Sequence, residues 1–443
     1  MADRGQQVKK YLQAGQCLAL FFIFTGYTFL NANLKDTAGD LVLLLLLVLA
    51  LPRLIDLRFP AAFVRFFLAL FWCFLAMTLA SVVFPPSGYV HQIWLVIALY
   101  RVLFAAPLVF AVLPLHDLDR PVLRWGLAAL CLALAALDIL EKQGCAVQDF
   151  LRHLSPLAVV HSPWHDKNYA FWQLLLMWGG ISLLWRRGRA GNILAAVLLI
   201  FSGTAVFLGS SESSKLALVL SGLVFVLAHL LPVRSRSLLY WGAVLATVIA
   251  PILWVCLAPL KPLLAPLLPQ MEGITVRVEL FDSIAGFIRK ELVLGYGFGS
   301  TPYLRMPTAE VGGLDRFPGG HTHNLVLQFF ADQGLFGLVF ITALLLLLAR
   351  YIKQANEESP QAPAVWALLI SGLILFSLSY ATWRADVVLM YTMWLSLLVA
   401  ASARPDRLVA DWLADNRYRV FFVFLGIAAI LCYGVDYLLL AGR

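Results

Sequence analysis

"HTHNLVLQFFADQGLFGLVFITALLLLLAR", residues 321–350, is an apolar run with a polar head. It is long enough to cross a bilayer, which takes about 20 residues. Yet it opens on His321, His323 and Asn324, and it carries Asp332 eight residues beyond the asparagine. Polar groups at that depth are costly unless they face protein or water. The stretch therefore reads as a membrane span whose outer half lines an aqueous cavity.

The rest of the chain has the same character. Of its 443 residues, 61% are hydrophobic and only 13% charged, with a mean hydropathy of +0.85. Spans are expected near 14–32, 38–52, 62–84, 91–114, 121–140, 168–185, 191–208, 215–231, 238–258, 324–349, 364–381, 387–402 and 420–440. That is thirteen, or twelve if the short second or the final run does not cross. Backbone polar groups in lipid must be satisfied internally, and these runs are too long for barrel strands. The fold class is an all-α polytopic membrane protein, read as a single integral membrane domain over 1–443 without a soluble domain or internal repeat. No cleavable leader is expected, because the first apolar run is long and a second follows at once.

Basic residues set the orientation. With the N-terminus inside, the inner connections hold Arg53, Arg58 and Arg65; Arg120 and Arg124; Arg186, Arg187 and Arg189; Arg234 and Arg236; Arg350 and Lys353; and Arg404, Arg407, Arg417 and Arg419. The short outer connections are nearly free of positive charge, as the positive-inside rule requires. The net charge of +8 thus reflects topology and the anionic inner leaflet, and gives no sign of a nucleic-acid partner. Of the six cysteines only Cys145 falls in an outer connection, so no outer disulfide or metal-binding pair is expected.

Two outer connections are longer than the rest, near 141–167 and 259–323. Long loops in compact proteins usually carry function. The second opens with "PLKPLLAPLLP", whose four prolines exclude a regular helix. It continues with "ITVRVELFDSIAGFIRKELVL", where Ile274, Phe281, Ile284 and Ile288 fall near one helical face. That pattern predicts an amphipathic interfacial helix. The glycine-rich "GYGFGSTP" that follows predicts a tight irregular turn.

From His323 the chain reads His323-Asn324, nine residues, Gly334, two residues, Gly337. This spacing, opening a span after a large outer loop, resembles the O-antigen ligase and polymerase superfamily, and within it most of all the O-antigen ligases. "GSSESSKLA" at 209–217 is similar to the family's short outer motif of small residues ending in a cation, and Arg277 stands upstream in the large loop. The family often has arginine where this chain has Lys215; lysine keeps the charge and loses the bidentate fork. The resemblance implies a GT-C-like, inverting glycosyltransferase in the bacterial inner membrane, its active site facing the periplasm. The implied donor is an undecaprenyl diphosphate-linked O-antigen, and the implied acceptor is a sugar hydroxyl of lipid A–core. It implies no metal and no other cofactor. An O-antigen polymerase or a protein O-oligosaccharyltransferase would use the same donor; a lipid or solute transporter is the reading from another class.

Under that resemblance His323 is the candidate general base, since an imidazole of pKa about 6.5 accepts protons near neutrality. Asn324 either orients it, contacts substrate or caps the helix. Arg277 and Lys215 are the candidates for stabilising the departing diphosphate, and Gly334 and Gly337 are structural. Lys167 and Asn168, after "HSPWHD", are candidates for contacts to acceptor sugar or diphosphate, and Arg384 and Asp386 for the rim. Arg101 and Asp332 lie at similar depth, about 15 and 12 Å in at the 1.5 Å helical rise. They are expected either to pair, or to leave Arg101 facing the donor groove.

Overall fold

The structure, a computed structural model, describes residues 121–144, 163–257, 272–297, 300–301, 304, 322–356 and 360–379. Among these residues there is no strand, and eight helices follow one another. They are α1 (Pro121–Lys142), α2 (Pro163–Leu184), α3 (Arg189–Leu208), α4 (Glu212–Leu230), α5 (Val233–Leu257), α6 (Glu272–Lys290), α7 (Leu325–Asn356) and α8 (Ala362–Leu378). Four have the length and composition to cross a membrane: α3, α4, α5 and Leu325–Ala343 of α7. The seven spans expected between 121 and 381 each coincide with one of these helices; the six expected near 14–32, 38–52, 62–84, 91–114, 387–402 and 420–440 lie outside the described residues.

One boundary differs. The long outer connection was expected to run to residue 167, but α2 already begins at Pro163. Proline suits a first helical position, where its missing N–H has no helical partner anyway. His165, Asp166, Lys167 and Asn168 thus belong to the first turns of a helix.

Helix α8 is the hub, packing on α4, α2, α5 and α7. It is buried on nearly all sides from Ala362 to Phe376. Ala364, Ala367, Ser371 and Gly372 keep its surface narrow, and small residues are what let helices approach closely in lipid. On one flank α1, α2 and α3 pack together; on the other, α5, α6 and α7 do.

The helix ends meet in the sense that the basic-residue alternation requires. At ends assigned to the inside, Trp185 Nε1 donates to His229 Nε2 at 2.8 Å, joining the C-terminal ends of α2 and α4. At ends assigned to the outside, Lys142 Nζ donates to the Ala205 carbonyl at 2.7 Å, joining α1 to the last turn of α3. Lys142 also pairs with Asp138 at 2.9 Å, with both side chains largely buried.

The amphipathic helix expected in the second loop is α6, and its apolar face packs on the helix bundle. Leu280, Ile284 and Ile288 are buried against Leu327, Phe330 and Ala331 of α7 and Val255 of α5, while Arg289 and Lys290 are exposed. Each such side chain contributes roughly 1.5–3 kcal/mol when the alternative is water. Arg289 Nη1 donates to the Val255 carbonyl at 3.0 Å and so closes the last turn of α5.

Candidate functional site

The span that begins at Leu325 is not one continuous helix. At Gly334 the backbone leaves helical geometry, with φ 59° and ψ −145°. The break frees two backbone groups that a regular helix would pair: the N–H of Leu335 and the carbonyl of Ala331. Both find partners in the turn after α6. Leu335 N donates to the Leu292 carbonyl at 2.9 Å, and Tyr296 N donates to the Ala331 carbonyl at 3.0 Å. The turn is thus laced into the break, and no buried backbone group is left over at these two positions.

This explains the two glycines of the motif. A Cβ on Gly334 would stand 2.2 Å from the Val293 carbonyl oxygen, and one on Gly337 would stand 2.0 Å from that of Phe329. The first glycine admits the turn; the second lets the two halves of α7 fold against each other. Asp332 fixes the next residues along. Its Oδ1 accepts from Ser300 Oγ at 3.1 Å, Thr301 N at 3.1 Å and Thr301 Oγ1 at 2.5 Å. The carboxylate expected to meet Arg101 therefore has hydroxyl and amide donors from the loop; Arg101 itself lies outside the described residues, as do Arg384 and Asp386.

At the outer end of α7, Asn324 is the helix cap. Its Oδ1 accepts from Leu327 N at 2.9 Å, while its Nδ2 donates to the Ser377 carbonyl at the end of α8. Thr322 Oγ1 donates to the Asn324 carbonyl at 2.6 Å. Between Thr322 and Asn324, half-buried His323 has φ 53°. The left-handed region is unusual for a residue with a Cβ, and such outliers gather at functional sites.

The same end of α8 reaches a second N-terminus. Ser379 and Ser213 share a hydroxyl–hydroxyl hydrogen bond, and Ser211 bonds Ser214 at 2.8 Å. The N-termini of α4 and α7 are thereby drawn to one place. Each carries the positive end of a helix dipole, which suits an anion. Lys215, on the first turn of α4, pairs with Glu212 at 2.8 Å. Arg277, half-buried on α6, has its pKa pushed down by burial and back up by the carboxylate of Glu212. Both nominated cations thus feel the charge of Glu212, and Lys215 is paired with it.

Sequence reasoning missed Glu212. Its only signal was a glutamate three residues before the lysine, which any solvated helix face could show. It also missed Gln328, one turn below Asn324, whose buried side-chain amide has no hydrogen-bond partner among the described residues. Lys167 and Asn168 lie on the first turns of α2. Among the described residues no three His, Cys, Asp or Glu side chains gather as a metal cluster.

The fold and this mouth define a multi-pass α-helical membrane protein with cationic and helix-terminal groups gathered at one end of the bundle. Residues 194–342, from α3 into α7, match the family described as O-antigen ligase. Among curated proteins the chain is similar to a Rickettsia felis protein named, provisionally, as a polysaccharide ligase, 24% identical over 238 residues. Similarly named proteins of Rickettsia prowazekii and Rickettsia typhi are 24% and 25% identical. Each match covers 52% of this chain and 57% of the relative, so the chain spans little more than half the length of these relatives. No solved structure matches.

Proposed function

We propose that this chain is an inverting glycosyltransferase of the O-antigen ligase kind, with a GT-C-like architecture. It transfers a glycan from undecaprenyl diphosphate to a sugar hydroxyl of lipid A–core at the periplasmic face of the inner membrane. Segment 259–323 is the periplasmic loop that, through α6, packs beside the helix bearing His323. The acceptor oxygen attacks the anomeric carbon as the carbon–oxygen bond to the diphosphate breaks. His323 takes the hydroxyl proton, and the departing diphosphate keeps the bonding electron pair. Its growing charge is met by Lys215, Arg277 and the N-termini of α4 and α7. Asn324 holds the helix start, while Lys167, Asn168, Arg101, Arg384 and Asp386 remain the candidates for the sugar and phosphate flanks. No metal is needed in this scheme, because the cations are side chains.

The observation that carries this reading is the gathering of two helix N-termini on the end of α8, beside His323 and Lys215. The test is transfer by purified protein from undecaprenyl diphosphate-linked glycan to lipid A–core, without nucleotide and with chelator present. Glycan on lipid A–core supports the proposal. Lengthening of the donor-linked glycan alone makes the chain a polymerase, and transfer to a protein makes it an oligosaccharyltransferase. Movement of the intact donor across vesicles with no transfer makes it a transporter.

A further inference from the structure

We propose that Glu212 is a built-in counter-anion, which holds Lys215 at the N-terminus of α4 and is displaced when a diphosphate group binds. The inference rests on the reading of Lys215 and Arg277 as phosphate ligands. Glu212 Oε1 lies 2.8 Å from Lys215 Nζ. The Glu212 side chain is 69% exposed and that of Lys215 25%, so an incoming group can reach both. Arg277, half-buried on a different element, α6, feels the charge of the same carboxylate. One negative charge is thus paired with Lys215 at a helix N-terminus, within the field of a second cation. The local balance stays positive and favours a ligand carrying more than one negative charge.

Holding the lysine has a use. A long basic side chain left alone would sample many rotamers. A carboxylate 2.8 Å away keeps Lys215 near one place. An exposed pair three residues apart on a helix is weak, so a diphosphate, with more charge and more acceptor oxygens, can replace it. The carboxylate then stands close to the bound anion and repels it, which hastens release of the diphosphate product. An N-terminal glutamate that served only the α4 dipole would do neither. Phosphate oxygens of this kind could come from the polyprenyl donor or from an anionic phospholipid headgroup.

The experiment uses the full chain in nanodiscs of phosphatidylcholine, titrated with inorganic pyrophosphate. Glu212→Gln keeps an acceptor and removes the charge. It is expected to bind pyrophosphate about three- to tenfold more tightly than wild type, the effect of removing one unit charge at contact range in a solvated site. In turnover it should lower the donor KM and strengthen inhibition by undecaprenyl diphosphate. Glu212→Ala, checked for folding by its thermal transition, should gain in the same direction. Lys215→Ala and Arg277→Ala should each weaken pyrophosphate binding. If they do and the Glu212 variants show no gain, the counter-anion is wrong and the cation reading stands. If neither cation variant weakens binding, the reading beneath it fails as well. Repeating the titration in phosphatidylglycerol nanodiscs separates the sources. A Glu212→Gln gain that persists assigns the site to the donor; a gain suppressed by the lipid assigns it to a headgroup phosphate.

Discussion

Gly334→Ala is the perturbation that most directly tests the broken span. The residue has φ 59° and ψ −145°, a region that side chains with a Cβ rarely enter and that costs about 1–3 kcal/mol to impose. The new methyl would also meet the Val293 carbonyl oxygen at 2.2 Å and the Leu292 carbonyl oxygen at 2.7 Å. These are backbone atoms, with no flexible side chain to swing away. Relief requires the turn to withdraw, at the expense of the Leu335-to-Leu292 and Tyr296-to-Ala331 hydrogen bonds. Overpacking of this kind costs about 1–3 kcal/mol. The sum is a destabilisation of about 2–6 kcal/mol, a large share of the stability of an ordinary domain. The assay is the thermal transition of the purified protein in detergent, together with proteolysis of the α6–α7 connection. Gly222→Ala is the control, since a methyl there meets nothing within 4 Å and alanine favours a helix interior by up to about 1 kcal/mol. A Gly334→Ala protein as stable and as protease-resistant as the Gly222→Ala control would refute the turn-in-break arrangement.

Three other outcomes follow from the same structure. His323→Ala should retain the wild-type thermal transition and lose about 10²–10⁴-fold in transfer; near-full turnover with purified substrates would remove the base assignment. Lys142→Met leaves the buried Asp138 carboxylate without the cation 2.9 Å away and should cost about 3–5 kcal/mol, while Asp138→Leu combined with Lys142→Met should recover most of that. Additive losses in that cycle would show that the pair does not act as one. Gln328→Leu removes a buried amide that has no partner among the described residues and should raise stability by about 1–3 kcal/mol; a fall in the melting temperature would mean that the amide is satisfied.

The sequence by itself determined the all-helical membrane class and the register of the seven spans that lie among the described residues. Those features are written locally, in hydropathy over some twenty residues. It also determined α6, because Ile284 and Ile288 recur on one face and are the residues found buried. His323, Asn324, Gly334 and Gly337 were legible as a motif, but what the glycines do was not. The partners of the break, Leu292 and Tyr296, lie some forty residues earlier, and a glycine before a leucine run carries no local sign of a chain crossing it. The same holds for Asn324, whose amide reaches Ser377, and for Asp332, held by Ser300 and Thr301. Spans follow from the transfer free energy of each segment into lipid. The mouth depends on which segment ends pack together, and only the tertiary structure decided that.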